Sequence, residues 1–235
     1  MVLLAVYIAF ALFGMVDLVR SSHGVVAFDD RMMERFAPYR SEDRVWAVMT
    51  LTNLGGTSTL IACVMVATAF LWSHRRRGIV APMWLAFIGV ELVTTVGKGW
   101  VARARPVFTT IATAHSPSFP SGHTTGATVV FGFLAYAIAR DLASHRRRFA
   151  IGYSAIVLVL VIGVSRVFLG VHFASDVIAG WLIGIFWLLV AFAVAEHWRG
   201  RPQQPVDQTA TMEIEQAALQ EELKAAERAV VDRMP

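Results

Sequence analysis

Residues 173–195 read FASDVIAGWLIGIFWLLVAFAVA, and this stretch decides the fold class. Beyond Asp176 it carries no charged residue, and it is long enough to cross the hydrocarbon core of a bilayer as a helix, which takes about 20 residues. The whole chain has the same bias, with 56% hydrophobic and 16% charged residues and a mean hydropathy of +0.57. Globular domains carry about 25% charged residues, so this composition excludes a soluble globular protein.

Further apolar segments qualify, or nearly qualify, as membrane spans. They are residues 2–19, 53–72, 79–97, 123–139 and 149–165. The sequence therefore predicts an all-α fold, an integral membrane bundle of six transmembrane helices. The first segment could instead be the apolar core of a signal peptide. No Lys or Arg precedes it and no clear small-residue cleavage site follows it, so a retained span is favoured.

Composition divides the chain into three parts. Residues 1–52 hold the first span and an outward-facing link, residues 53–198 hold a five-span core, and residues 199–235 form a polar cytoplasmic tail. In the link, Met33, Phe36 and Trp46 indicate elements that lie at the membrane interface, although a plain connecting loop is an equal alternative. The tail has a thin apolar stripe that could pair with a partner helix, but a solvated tail is favoured.

Two basic clusters set the predicted orientation. Residues 75–77 and 146–148 each read Arg-Arg-Arg and follow the second and the fourth span. Cytoplasmic links are enriched in Lys and Arg, so the links 20–52, 98–122 and 166–172 are expected on the outer side of a plasma (inner) membrane. The 21 Lys and Arg against 17 Asp and Glu form no single patch, so no nucleic-acid partner is expected.

Polar residues gather at the span ends that this topology places on the outer face. Lys98 ends the third span, Arg105 follows it, and Arg166 closes the fifth. Three cations suit an anionic ligand, because guanidinium groups match phosphate oxygens in charge and geometry. Ser121 and Gly122 open the fourth span, where the free N–H groups of a helix start also favour phosphate. These residues indicate a phosphate-containing ligand.

Two histidines and an aspartate join this set. His172 and Asp176 are four residues apart and share a helix face, so Asp176 could hold one imidazole nitrogen protonated while the other attacks. His123 comes from another span and could protonate a leaving group. Each residue alone has an ordinary structural explanation, a hydrogen-bonded histidine or a snorkelling cation. Their convergence favours a functional site.

Metal and disulfide chemistry are not indicated. Cys63 is the one cysteine and lies inside an apolar run, so a single chain can build neither a disulfide nor a Cys-based metal site. The sequence therefore predicts no metal and no cofactor.

The spacing of the polar residues resembles the signature of the type 2 phosphatidic acid phosphatase and vanadium haloperoxidase superfamily. Three motifs carry the resemblance: Lys98 with Arg105-Pro106, then Pro120-Ser121-Gly122-His123, then Ser165-Arg166 with His172 and Asp176. The resemblance covers roughly residues 50–195. The resemblance implies a six-span helical bundle and a metal-independent phosphatase that acts on lipid phosphates.

By this resemblance, the phosphate would be bound by five residues, Lys98, Arg105, Ser121, Gly122 and Arg166.

The resemblance also assigns the three remaining roles. His172 would be the nucleophile that becomes phosphorylated, Asp176 would orient it, and His123 would be the general acid. These roles agree with the interpretation of the residues themselves.

The sequence thus predicts an integral membrane lipid phosphate phosphatase. Undecaprenyl diphosphate, phosphatidic acid and phosphatidylglycerol phosphate are the candidate substrates, and an outward-facing site favours the first. A phosphotransferase would need the same residues, whereas a transporter that only binds lipid headgroups would not require both histidines and Asp176. A haloperoxidase is disfavoured because the relatives with that activity are soluble. The expected partners are the lipid substrate and the membrane, and no protein partner is indicated.

Overall fold

The regular secondary structure of the described residues is all helical. The computed structural model describes residues 2–106, 116–199 and 216, with the side chains of residues 2–5, 7–10 and 199 left aside. Within these residues the α-helices are α1 Val2–Ser21, α2 His23–Phe36, α3 Glu42–Thr52, α4 Thr57–Ser73, α5 Val80–Val101, α6 Gly122–Ala139, α7 His145–Phe168 and α8 Ala174–Arg199. Short 3₁₀ turns occupy Ala37–Tyr39, Asn53–Gly55 and Arg77–Ile79.

Several of these helices are long and apolar enough to cross a membrane. In the described residues, four stretches qualify on their own: Arg77–Val101, Gly122–Ala139, His145–Phe168 and Ala174–Trp198. Two bent pairs bring the number to six when each counts as one span: Ala11–Ser21 with His23–Tyr39, bent by 84°, and Glu42–Gly55 with Thr57–Ser73, bent by 42°. The predicted all-α membrane fold is confirmed, and the predicted six spans are reached when the bent pairs are counted.

One apolar cluster joins α4, α5, α6 and α8. Leu60 and Val64 of α4, Val90 of α5, Phe133 of α6 and Ile183 of α8 are buried in it. Many residues along the length of α6 are buried, so α6 packs against its neighbours on more than one face. Burial of this kind holds the ends of α4, α5, α6 and α8 in a fixed relation, which positions any site built there.

The predicted link between the first two spans is folded. It forms α2, a 3₁₀ turn and α3, so the alternative of a plain loop is wrong. Trp46 is exposed, whereas the side chain of Met33 is fully buried against Val167, Ala174 and Val177. The amphipathic α2 packs its apolar side on the ends of α7 and α8.

The described residues up to Trp198 form one compact unit, and a second unit begins at Arg199. Of the predicted polar tail, only residues 199 and 216 lie within the described residues. Residues 107–115 of the predicted outer link 98–122 also lie outside them.

Candidate active site

The structure places all the predicted site residues at one end of the bundle. Lys98 is in the last turn of α5, Arg166 is in the last turn of α7 and Asp176 is in the first turn of α8. Ser121 precedes α6, and Gly122 and His123 begin it. Arg105 follows α5 and His172 lies between α7 and α8. Motifs far apart in the sequence are therefore brought together by the alternation of helix starts and ends.

A left-handed turn after α7 places His172 beside Arg166. Gly170 has a φ of 68°, a conformation that costs glycine little and other residues more. Its N–H donates to the carbonyl of Val167 at 2.9 Å, and Val171 N–H donates to that of Arg166 at 3.2 Å. The N–H of His172 also donates to the Arg166 carbonyl, at 3.3 Å. The turn thus terminates α7 and fixes the distance between the backbones of Arg166 and His172.

His172 is buried, with 2% of its surface exposed. Arg105 donates an N–H to its Nε2 at 3.3 Å, and because a guanidinium only donates, Nε2 is the unprotonated nitrogen. Nδ1 then carries the proton and lies 3.6 Å from Oδ2 of Asp176, which is within ion-pair reach but long for a hydrogen bond. Burial lowers the pKa of His172 to about 4, with Arg166 and Arg105 acting in the same direction and Asp176 against them. The imidazole is therefore neutral at pH 7.

Lys98 and Arg105 are held side by side by Ser116. The ammonium of Lys98 donates to Ser116 Oγ at 3.2 Å and to the carbonyl of Pro117 at 2.8 Å. Arg105 donates to the same Oγ at 3.2 Å and to the carbonyl of Ser116 at 2.7 Å. It also donates to the Val171 carbonyl at 2.6 Å. Two cations that would repel each other in isolation are thereby fixed beside His172.

Arg166 is a buried cation with unused hydrogen-bonding capacity. It is 9% exposed, and one terminal N–H donates to Thr52 Oγ1 at 3.4 Å. Its Nε has no hydrogen-bond partner in the described part of the chain. Buried polar groups are nearly always hydrogen-bonded in native proteins, so an unsatisfied guanidinium N–H next to two further cations is arranged to receive an anion.

The start of α6 also lies at the site. Ser121 is fully buried, and its N–H donates to the backbone carbonyl of Asp176 at 3.2 Å, which ties α6 to α8. His123 lies close enough to Arg166, His172, Arg105 and Lys98 to interact with all four electrostatically.

The backbone around Gly55 approaches His123 closely. A Cβ on Gly55 would lie 2.7 Å from Ile162 Cγ2 and 3.2 Å from the carbonyl oxygen of His123. A side chain there would push the 3₁₀ turn Asn53–Gly55 away from α6. Sequence reasoning placed this turn inside the second span and missed its contact with the site.

Sequence reasoning also missed two charged residues. Arg103 donates to Asp176 Oδ1 and to Asp29 Oδ2, both at 2.7 Å. Asp29 is one of several charged residues in the predicted outer link 20–52, and it lies 74 positions before Arg103. The one available signal was the position of Arg103 between Lys98 and Arg105.

The donor types at this site suit an anion better than a metal ion. Among the described residues no group of three or more His, Cys, Asp or Glu side chains is placed to hold a metal. Lys98, Arg105 and Arg166 instead direct positive charge toward His172 and His123. This arrangement can stabilise the charge on a phosphoryl group while a neutral imidazole attacks it.

Two known phosphatases are similar to this chain in sequence. Over 151 residues the chain is 35% identical to phosphatidylglycerophosphatase B of Bacillus subtilis (strain 168), an alignment that covers 62% of this chain and 73% of that protein. Over 144 residues it is 31% identical to glucose-6-phosphatase 3 of Rattus norvegicus, covering 52% of this chain and 41% of that protein.

A solved structure extends this likeness to the fold. The crystal structure of a transmembrane PAP2-type phosphatidylglycerolphosphate phosphatase from Bacillus subtilis matches with a TM-score of 0.78 at 25% identity. The match covers 85% of this chain and 98% of that one. The family model of the PAP2 superfamily matches residues 79–199, which include every predicted site residue. The chain therefore belongs to the PAP2 superfamily, as one of its membrane phosphatases.

Proposed function

We propose that this enzyme removes the terminal phosphate of a lipid phosphate through a phosphohistidine intermediate on His172. The observation that carries the proposal is the buried guanidinium of Arg166, whose Nε has no partner within the described residues. It adjoins a histidine whose Nε2 is unprotonated and faces Arg105. A group that can bind an anion, Arg166, thus lies next to a nucleophile, His172.

The first step forms a phosphorus–nitrogen bond and breaks a phosphorus–oxygen bond. Nε2 of His172 attacks the phosphorus atom, and the leaving oxygen takes a proton from His123. The negative charge of the bound phosphate favours the protonated form of His123 that this role needs. Asp176 faces Nδ1 and stabilises the positive imidazole that results. Lys98, Arg105 and Arg166 lie around the equatorial oxygens, which carry the transition-state charge.

The second step returns the enzyme to its starting state. His123, now neutral, accepts a proton from water, and the water oxygen attacks the phosphorus atom. The phosphorus–nitrogen bond breaks, inorganic phosphate leaves, and the electron pair of that bond returns to Nε2 of His172. Each turnover consumes one water and needs no other reactant.

An apolar groove beside the site supports a lipid as substrate. It has a volume of about 460 Å³, and its walls include Phe13 and Val16 of α1 and Val96 of α5. Gly97 and Pro120 also line it, and these are the chain neighbours of Lys98 and Ser121. An acyl or prenyl chain could lie in this groove while its phosphate reaches the cations. Burial of the chain would contribute binding energy of about 0.8 kcal/mol per CH₂ group.

The headgroup is proposed from the relatives. Phosphatidylglycerophosphatase B is the relative with 35% identity, so phosphatidylglycerol phosphate is the first candidate substrate. Phosphatidic acid offers the same phosphomonoester, and undecaprenyl diphosphate offers a phosphate leaving group that needs less help from His123.

The proposed function predicts a specific activity profile in detergent. The enzyme should release phosphate from at least one of these three lipid phosphates at a rate at least about tenfold above that for glucose 6-phosphate, since binding of the chain contributes to catalysis. EDTA should leave the rate unchanged because the three cations supply the positive charge that stabilises the transition state, and orthovanadate should inhibit. Phosphate release can be measured with each substrate in turn.

Two results of that assay would contradict the proposal. One is release from none of the lipid phosphates by a folded, purified enzyme. The other is loss of activity on chelation that a divalent ion restores.

We also propose that the site faces the outer side of the plasma membrane. Residues 75–77 and 146–148 flank the opposite end of the bundle, where Arg76 pairs with Asp141. Basic residues are enriched in cytoplasmic links, which supports this orientation.

Cysteine labelling on intact cells tests the orientation. In a Cys63→Ala background, Asp30→Cys at the site end should react with a membrane-impermeant thiol reagent, and Ser144→Cys should not. Both positions are exposed on the protein surface. Thr109, in the middle of the predicted outer link, lies outside the described residues, so Asp30 is used instead. Labelling of Ser144→Cys alone would reverse the assignment.

A further inference from the structure

We propose that Asp29 and Arg103 are positioning residues of this active site, which hold Asp176 in the orientation that aligns His172. The inference rests on the proposed role of His172 and adds a part of the chain to it that the motifs do not contain. Asp29 lies on α2, outside the residues 79–199 matched by the family model.

Asp29 is a fully buried carboxylate with three hydrogen bonds. It accepts from the backbone N–H of Ser175 at 2.9 Å, from Ser175 Oγ at 2.5 Å and from Arg103 at 2.7 Å. Ser175 lies in the first turn of α8, where backbone N–H groups lack helical partners and attract a negative charge. Asp29 therefore fixes the start of the helix that carries Asp176.

Arg103 joins the two buried carboxylates. One terminal nitrogen donates to Asp176 Oδ1 and to Ser175 Oγ, both at 2.7 Å, and the other donates to Asp29. The guanidinium lies 4.1 Å from the centre of the Phe173 ring, which supports it from one face. A planar group with several fixed donors meets these demands at once, and a lysine ammonium cannot reproduce the same geometry.

These contacts restrict the rotation of the Asp176 carboxylate. Its Oδ1 is held by Arg103, and its Oδ2 accepts from the N–H of Phe173 at 2.9 Å while facing Nδ1 of His172. Without Arg103 the carboxylate would lose one of its two anchors and could rotate away from the imidazole. The nucleophile would then lose both its orientation and the nearby negative charge that stabilises it when phosphorylated.

The contact pattern separates a positioning role from a purely structural one. The bonds of Asp29 to Ser175 would be enough to attach α2 to α8. The additional bond from Arg103 to Asp176 extends the network to the residue that faces the nucleophile. Among the described residues, the side chain of Arg103 contacts Asp29, Ser175, Asp176 and Phe173 rather than the phosphate-binding cations. Its effect on catalysis must therefore pass through Asp176.

Steady-state kinetics on a lipid phosphate tests this role. Arg103→Gln should lower kcat by about 100-fold and Asp29→Asn by about tenfold, the size of effect expected when a reacting group is displaced by about 1 Å. KM should stay within about threefold of the wild-type value, because the phosphate-binding residues are untouched. Arg103→Lys should recover part of the loss, since it restores the charge without the fork. Asp30→Asn, an exposed neighbour on the same helix, is the matched control and should behave as wild type.

A double-mutant cycle with Asp176 supplies the decisive readout. In an Asp176→Asn background, adding Arg103→Gln should lower kcat by no more than about twofold, because the residue through which it acts is already altered. Full, multiplicative losses in the double variant, or wild-type kcat in both Arg103→Gln and Asp29→Asn, would overturn the inference. If Arg103→Gln does not fold, Arg103→Lys and Asp29→Asn carry the same cycle. An inactive wild-type enzyme, or a fully active His172→Ala variant, would instead refute the proposed function.

Discussion

His172→Ala should lower kcat by about 10⁵-fold or more on every lipid phosphate tested, the scale of loss seen when a nucleophile is removed from an enzyme. The imidazole is the one group that we expect to form a bond to phosphorus, and no neighbouring cation can replace it. The loss should appear in kcat, because the phosphate-binding residues are still in place. Phosphate release in detergent, followed to high enzyme concentration, measures the effect.

The matched control for this variant is His145→Ala. His145 is exposed at the start of α7, at the other end of the bundle, and its removal should leave kcat within about twofold. Loss of less than tenfold in His172→Ala would mean that another residue attacks the phosphate.

The lowered pKa of His172 gives this prediction a pH signature. The pKa lies at about 4, below the usual value near 6.5, mainly because the ring is buried. The neutral, attacking form therefore dominates at neutral pH and is lost only as the pH falls toward 4. Protonation of His172 should not limit kcat/KM above about pH 5, since kcat/KM reports the groups of the free enzyme.

Arg166→Lys should lower kcat/KM by about 100-fold to 1,000-fold, although it keeps the positive charge. The guanidinium of Arg166 is buried, uses one N–H on Thr52 and leaves Nε for the ligand. A lysine ammonium is a single point of charge that cannot span Thr52 and a phosphate oxygen together. The equatorial oxygens gain charge in the transition state. The fall in kcat/KM should therefore exceed the fall in affinity for the substrate.

Inhibition by orthovanadate gives an independent measure of the same contact. The inhibition constant should rise in Arg166→Lys and stay unchanged in Arg146→Lys, which alters an exposed arginine at the start of α7. An Arg166→Lys enzyme with kcat/KM within threefold of wild type would show that simultaneous contact with Thr52 and the phosphate is not needed at this position.

The motif residues could be predicted from sequence because each motif is local. Lys98 and Arg105 flank one helix end, and Gly170 closes the turn that sets His172 beside Arg166. Their spacing encodes short-range geometry, and the apolar spans between the motifs determine which ends meet. The network of Asp29 and Arg103 could not be predicted in this way, because its two residues belong to elements 74 positions apart.

The fold, like the site, could be predicted from sequence only in part. Hydropathy predicted the apolar runs, but it does not report where a run changes direction. The chain bends by 84° between α1 and α2. This bend allows α2 to fold back and bury Met33 and Asp29. The second predicted span began at residue 53, whereas α4 begins at Thr57, because Asn53–Gly55 forms a 3₁₀ turn against His123. These features depend on contacts between segments that are far apart in the sequence, so the hydropathy of one segment does not determine them.

The central claim is a covalent phosphohistidine on His172, and rapid quenching tests it most directly. Wild-type enzyme is mixed with a lipid phosphate labelled in the terminal phosphate, quenched within milliseconds in alkali, which preserves phosphohistidine, and digested for mass spectrometry. We expect label on the peptide that contains His172, stable in alkali and lost in acid, and no label in His172→Ala. Label on another residue, or an unlabelled enzyme at all quench times while phosphate is released, would contradict it.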